Sequence, residues 1–306
     1  MVSAAPRPGR DRALTTRRRF AALALGLGAA LSRPARAAAP ERVVAIDWGL
    51  AATLLSLGVT PLGIAETRLY RTWVAEPALP PAVRDIGLRT APNLELLATL
   101  KPDLIVMTRQ SENARALLRR IAPILTIDLY ADDRRPLDRA LAAVRELGTA
   151  FDRQDAAIAL LGRFEATLAD ARRRIGSFGR PVLAIGFMDA RHVRVYGQGS
   201  LFADVLDRIG LVNAWRGPTN AWGFSLADIA ELAAYADSRI LVIEPTPPEA
   251  AASLTRAGLW RALPFVRDGR VTPIDPVWAF GDITAAGRFA GLVAQALAAP
   301  AVGHAG

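Results

Sequence analysis

The 306-residue chain is 52% hydrophobic and carries 38 basic and 29 acidic side chains, a formal charge of +9, with two histidines and no cysteine. Eight of the basic residues and one of the acidic fall in residues 1–39, so the remainder holds 30 against 28, a net of +2 that does not support a nucleic-acid footprint. Without cysteine no disulfide and no lipoprotein anchor is expected, and two imidazoles cannot supply the usual structural or catalytic metal ligands.

In chain order, Thr16-Arg17-Arg18-Arg19-Phe20 precedes an apolar run at 21–31, and Ala35-Arg36-Ala37 offers small residues two apart for a signal peptidase. Paired arginines ahead of a short apolar core predict a twin-arginine export signal over residues 1–39, with an ordinary Sec signal or a basic tail as the alternative. The run is short and rich in Ala and Gly for a membrane anchor, and no later stretch approaches spanning length. The mature chain of about 267 residues is then a free periplasmic protein, long enough for one large or two modest domains.

A strand is predicted at 42–47, a helix at 50–57 ended by Gly58, and a strand at 62–65. Residues 66–90 read mostly as loop and carry Tyr70, Trp73 and Arg89. A helix-then-strand unit at 94–107 has a counterpart at 229–242. Leu94 and Ile229, Leu97 and Leu232, and Leu100 and Tyr235 are each 135 positions apart. Both copies pass from helical apolar spacing into a buried-strand run, which predicts two similar α/β lobes unless the pairing is a coincidence of α/β patterning.

The strand pattern returns at 124–128 and a helix at 137–148. Asp152 opens a long helix, with Asp155 in its first turn and a stripe of Ile158, Leu161, Phe164, Leu168 and Ile175. About 25 residues reach roughly 37 Å, enough to bridge two lobes, although a packed crossover helix fits equally well. Strands follow at 182–187 and 193–196, a helix at 201–209, and a capping-box pattern at Ser225 and Asp228 ahead of the second repeat. Strands at 239–244 and 271–274 and a helix at 284–297 complete a second lobe.

Chemistry is sparse. His192 lies between strand-like runs and His304 in the tail, and nothing resembles a nucleophile elbow or P-loop. Gly197-Gln198-Gly199 is too incomplete for a dinucleotide fingerprint. Asp189 and Asp282 are conceivable as a catalytic pair, but capping or surface roles suit each better. Four tryptophans, Trp73, Trp215, Trp222 and Trp278, sit in predicted loops, where they either wall a cleft or pack under their own loops. Arg89 could donate several hydrogen bonds to clustered oxygens, or be a solvated surface arginine.

Five segments carry a resemblance. They are Tyr70-Arg71-x-Trp73-Val74-x-Glu76-Pro77, Gly87-Leu88-Arg89-Thr90-x-Pro92-Asn93-Leu94-Glu95-Leu96-Leu97, Asn213-Ala214-Trp215-x-Gly217-x-Thr219-Asn220-x-Trp222-Gly223, Leu232-Ala233-Ala234-Tyr235, and Pro264-Phe265-Val266-Arg267-x-Gly269-Arg270. In this order, over essentially the whole mature chain, they closely resemble the periplasmic iron(III)-hydroxamate (ferrichrome) binding proteins of ABC uptake systems.

The resemblance implies a class III periplasmic binding protein, with two open-sheet α/β lobes joined by a single long helix. The lobes would be residues 40–151 and 177–306, with the bridge at 152–176. It implies a monomer that binds a ferric hydroxamate siderophore, hands it to an inner-membrane ABC permease, catalyses nothing and needs no cofactor. Arg89 would bond the hydroxamate oxygens, and Trp73, Trp222 and Trp278 would line a shallow cleft. Such a chelate already gives iron six oxygens, so the protein supplies no metal ligand.

In one place the chain departs from the family pattern. Where family members often carry a ligand-contacting tyrosine, Thr108-Arg109-Gln110-Ser111-Glu112-Asn113 puts Ser111. Either Tyr70 or Arg109 compensates, or the preferred siderophore differs, and Arg109 would suit a free carboxylate such as that of a citrate-based hydroxamate. Glu112 with Glu231 or Asp228 are candidates for permease docking. The alternatives are a receptor for a ferric catecholate or corrinoid, or, in another class, a twin-arginine-exported cofactor enzyme.

Overall fold

The computed structural model describes residues 1–3, 39–256 and 258–298. The chain divides into Met1–Ala39 and Pro40–Gly306, and both sheets of the fold belong to the second of these units. The paired arginines, the apolar run, the cleavage site and His304 lie outside the described residues.

The described residues form two five-stranded sheets. The first contains β1 (Val43–Ala45), β2 (Gly63–Ile64), β3 (Arg84–Asp85), β4 (Leu104–Met107) and β5 (Ile124–Thr126), in the order β3-β2-β1-β4-β5 and parallel at every pairing. Val43, Val44, Ala45, Ile105, Val106 and Met107 are fully buried, as central parallel strands covered on both faces require. Crossovers run through α1 (Trp48–Ser56), α2 (Thr67–Trp73), α3 (Leu94–Leu100) and α4 (Glu112–Leu118). Next come α5 (Pro136–Ala150) and the long α6 (Gln154–Ile175).

The second sheet contains β6 (Val182–Phe187), β7 (His192–Tyr196), β8 (Phe224–Asp228), β9 (Arg239–Ile243) and β10 (Val271–Ile274), in the order β10-β9-β6-β7-β8. The β10, β9 and β6 strands are parallel, while β7 and β8 run antiparallel at the edge. Its helices are α7 (Leu201–Arg208), α8 (Pro248–Arg256), α9 (Gly258–Ala262), α10 (Pro264–Arg267) and α11 (Ile283–Ala298). The 135-residue repeat survives in the strands: β4 begins at Leu104 and β9 at Arg239, each beside the first strand of its own sheet.

The 22 residues of α6 span about 33 Å. It packs along α11 and α5, and α11 also touches α1 and α7, so the last helix straddles the two lobes. Phe289 of α11 is fully buried and stacks on Phe202 of α7 with ring centroids 4.1 Å apart. Polar bonds cross the joint as well. Arg288 donates to Glu76 at 2.6 Å, the Leu137 amide donates to Asp204 at 3.2 Å, and the hydroxyls of Ser56 and Thr284 lie 3.0 Å apart.

Four sequence expectations are corrected. The segment at 66–90 contains α2, so Trp73 ends a helix instead of sitting in a loop. On α6 the buried stripe is Ala157, Leu160, Phe164, Leu168 and Ala171, while Ile158 is 69% exposed, because small alanines let the neighbouring helices approach closely. The second repeat helix, Ile229–Tyr235, is a 3₁₀ helix, and its apolar residues at steps of three fit three residues per turn. Its capping box is Asp228 with Glu231, whereas Ser225 lies within the strand β8.

Candidate functional site

Past β3 the chain turns at Gly87, whose φ of +88° is a conformation that a side chain would strain. Asp85 ties the turn together by accepting from the amides of Gly87 and Thr67, both at 2.9 Å, and from the Thr67 hydroxyl at 2.8 Å. The Glu66 amide donates to the Gly87 carbonyl at 2.9 Å. This brings the Glu66 carboxylate within 2.6 Å of Nε of Arg89. The Arg89 guanidinium then lies 3.9 Å from the centre of the Trp48 ring and 5.3 Å from that of Trp278. It is therefore held on one edge by a carboxylate and on its face by an indole, with both terminal nitrogens lacking a partner among the described residues.

From this point an aromatic chain crosses between the lobes. Trp48 meets Trp278 edge-on at 4.7 Å, and Trp278 meets Phe280 at 5.1 Å. Phe280 in turn touches Trp222 at 5.5 Å, Phe224 at 5.9 Å and Tyr130 at 6.0 Å. A second guanidinium joins it from the opposite lobe: Arg194 of β7 lies 4.5 Å over the Phe224 ring and 5.6 Å from Phe280. Nε of Arg194 and Nε1 of Trp278 are both buried without a hydrogen-bond partner. Unpaired buried donors are costly, and both of these residues border the same recess.

Two hollows flank the aromatic chain. A recess of about 90 Å³ is lined by Trp73, Phe187, Met188, Arg194, Trp278 and Phe280. A larger cavity of about 510 Å³ lies between Thr108, Arg109, Asp128, Tyr130 and Asp133 on one lobe and Ala221 and Trp222 on the other. Its volume falls in the usual range for small-molecule sites.

Beneath the site two helices begin against each other. A Cβ on Gly49 would stand 3.3 Å from the backbone of Gly281. Asp47 caps α1 through the Leu50 amide, and Asp282 caps α11 through the amides of Thr284 and Ala285. Burial pushes the Asp282 carboxyl up to about 7, with the charge of Asp47 adding to the effect against the pull of the capping bonds. Asp47 is raised for the same first reason, although its capping bond and Arg89 oppose the rise.

The residues singled out in the sequence separate clearly. Arg89, Trp73, Trp222 and Trp278 come together around the aromatic chain. Tyr70, expected at the cleft, is fully buried; its hydroxyl donates to the Pro77 carbonyl at 3.0 Å, so the phenol is occupied in holding its own loop. Trp215 packs under its own loop, stacked on Tyr235 at 5.2 Å. Arg109 reaches the larger cavity but is bound to Asp128 at 2.6 Å. Ser111 is buried and donates to the Arg89 carbonyl at 3.2 Å, so it supports the arginine loop.

Asp189 pairs locally with His192 at 2.9 Å, on a different element from Asp282. Glu112 pairs with Arg115, and Asp228 and Glu231 form the capping box of the 3₁₀ helix. Sequence reading missed Arg194, Phe280, Trp48 and Tyr130. The alternation of β7, with Val193 and Val195 buried on one face, was the signal that places Arg194 on the other. Among the described residues no group of three His, Cys, Asp or Glu side chains could hold a metal ion.

Residues 43–277 match the periplasmic binding protein family. Over 287 residues the chain is 37% identical to the iron(3+)-hydroxamate-binding protein FhuD of Escherichia coli (strain K12), covering 93% of this chain and 97% of that one. The chain belongs to the periplasmic binding protein family. A second relative, the achromobactin-binding periplasmic protein of Dickeya dadantii, is 31% identical and covers 86% of this chain and 89% of that one. Among solved structures, the siderophore-binding protein FhuD from Vibrio cholerae with Fe3+-Desferal bound superposes with a TM-score of 0.81 at 31% identity, over 85% of this chain and 98% of that one. Relatives of this kind are substrate-binding transport proteins, not enzymes, and carry no cofactor of their own, so the chain is a solute receptor and the exported-enzyme reading falls away.

Proposed function

We propose that the chain captures ferric hydroxamate siderophores between its two lobes in the periplasm and delivers them to an inner-membrane ABC permease. The observation that carries this reading is the pair of guanidiniums, Arg89 and Arg194, set on one aromatic chain from opposite lobes with donors left unpaired. A ferric trihydroxamate is compact and close to neutral, with an exposed face of polarised oxygens and an aliphatic remainder. Charge-assisted donors suit the oxygens, and Trp73, Trp222, Trp278 and Phe280 suit the aliphatic part. The Escherichia coli relative is named for iron(3+)-hydroxamate binding and the Vibrio cholerae one holds Fe3+-Desferal, and trihydroxamates of the ferrichrome type are the first ligands to test.

In this reading the lobes are residues 40–151 and 177–306, with 152–176 as the bridge. The protein works as a monomer after twin-arginine export, and Glu112, half exposed on the first lobe, faces the permease. Tryptophan emission titrated with ferric hydroxamate, catecholate and citrate chelates tests the ligand class. Hydroxamates should quench it saturably at the lowest concentrations, whereas quenching by a catecholate with no response to any hydroxamate would overturn the proposal.

A further inference from the structure

The larger cavity carries a charge pattern that its ligand must answer. Three acids, Asp128, Asp132 and Asp133, and two arginines line it. Both arginines are committed. Arg109 gives Nε to Asp128 at 2.7 Å and its amide at 2.9 Å, and Arg139 gives Nε to both oxygens of Asp133 at 2.9 and 3.0 Å. Asp132 forms no ion pair with a described residue, although its charge acts on Arg139, and the lining as a whole holds three acids against two arginines.

An independent observation points the same way. Thr108 lines this cavity at 3% exposure, and its hydroxyl oxygen has no hydrogen-bond partner. A buried hydroxyl left unpaired calls for a polar ligand atom. The Trp222 ring completes the wall. A carboxylate, a hydroxyl acceptor and an indole face together complement an alkylammonium. A free carboxylate, the partner suggested for Arg109 by sequence alone, would instead meet a guanidinium already neutralised by Asp128 and the charge of Asp132.

We propose that this cavity receives the protonated primary amine of a linear ferric trihydroxamate, which makes the protein selective for cationic over neutral chelates. The inference rests on the ferric hydroxamate reading of the cleft and adds the pendant group to it. Ferric desferrioxamine B and its N-acetylated derivative share one iron centre and differ by that charge, so they separate the two claims.

The wild-type protein should bind the amine form roughly three- to tenfold more tightly than the acetylated form, a modest ratio because Asp132 is exposed, and the preference should shrink as salt rises. Asp132→Asn should abolish the preference and leave the affinity for the acetylated form unchanged. Thr108→Val should reduce it. Equal wild-type affinities for both ligands, or a preference that survives Asp132→Asn, would overturn the amine subsite while leaving the hydroxamate reading intact. Failure of both ligands to bind would overturn the hydroxamate reading and this inference with it.

Discussion

Arg89→Ala should weaken binding of a ferric trihydroxamate by about 1.5–3 kcal/mol, roughly ten- to a hundredfold in Kd, without loss of the folded state. The guanidinium is already oriented by Glu66 and by the Trp48 ring, so little rotamer entropy is lost when its free terminal nitrogens meet ligand oxygens. Arg194→Ala should produce a loss of similar size from the other lobe, because its Nε is buried and unpaired before the ligand arrives. Arg89→Lys keeps the charge but loses the planar fork, and should recover a minor part of the loss. Isothermal titration on the three variants measures this directly. Wild-type affinity in both alanine variants would remove the guanidiniums from the binding account.

The second large effect concerns stability against pH. Asp282 is raised from 3.8 to about 7 and Asp204 from 3.8 to about 6, each first by burial. Between these folded and unfolded values the native state binds more protons than the unfolded chain, so stability falls as pH rises from about 4 to about 7. Asp85, Asp133 and Asp268 are lowered, and their contribution disappears only as pH drops below the ordinary carboxylate range. Maximal stability is therefore expected near pH 4, where the lowered acids are still ionised and the raised ones have not yet begun to oppose folding.

Stability lost between pH 5 and pH 8 should be on the order of 3 kcal/mol, most of it from Asp282. Asp282→Asn preserves the α11 cap, since asparagine caps as well as aspartate, and removes the buried charge. Denaturant unfolding at a series of pH values should show a flatter profile in this variant and a gain at pH 8. An unchanged slope would mean that Asp282 carries none of the pH dependence.

Much of the fold was legible because its strands are short buried apolar runs flanked by turn residues, and the 135-residue register from Leu94 and Ile229 into β4 and β9 persists in space. What escaped depended on tertiary partners. Tyr70 and Trp73 share α2, yet the core takes up the first completely and leaves the second at the recess, a distinction that spacing of three residues cannot make. Ile158 is the larger hydrophobe, but it is Ala157 that faces α5, where a Cβ on Gly148 would stand 2.7 Å from its own.

The site divides in the same way. Arg89 and three tryptophans were visible through motif resemblance. Phe280 and Arg194 were not, because each becomes part of the cleft when the second sheet and the chain after β10 bring residues more than eighty positions apart into contact. The cancelled charge of Arg109 was equally invisible, since its partner Asp128 lies beyond the intervening α4 and β5.

The central claim is that iron arrives and stays wrapped in its hydroxamates while the polypeptide contributes indole faces and guanidinium donors. The visible absorption spectrum of a ferric trihydroxamate titrated with protein tests it most directly. The hydroxamate-to-iron charge-transfer band should keep its position and intensity at saturation, with one iron and one siderophore per chain. Bleaching of that band, or its replacement by one from a protein-ligated iron, would contradict the account.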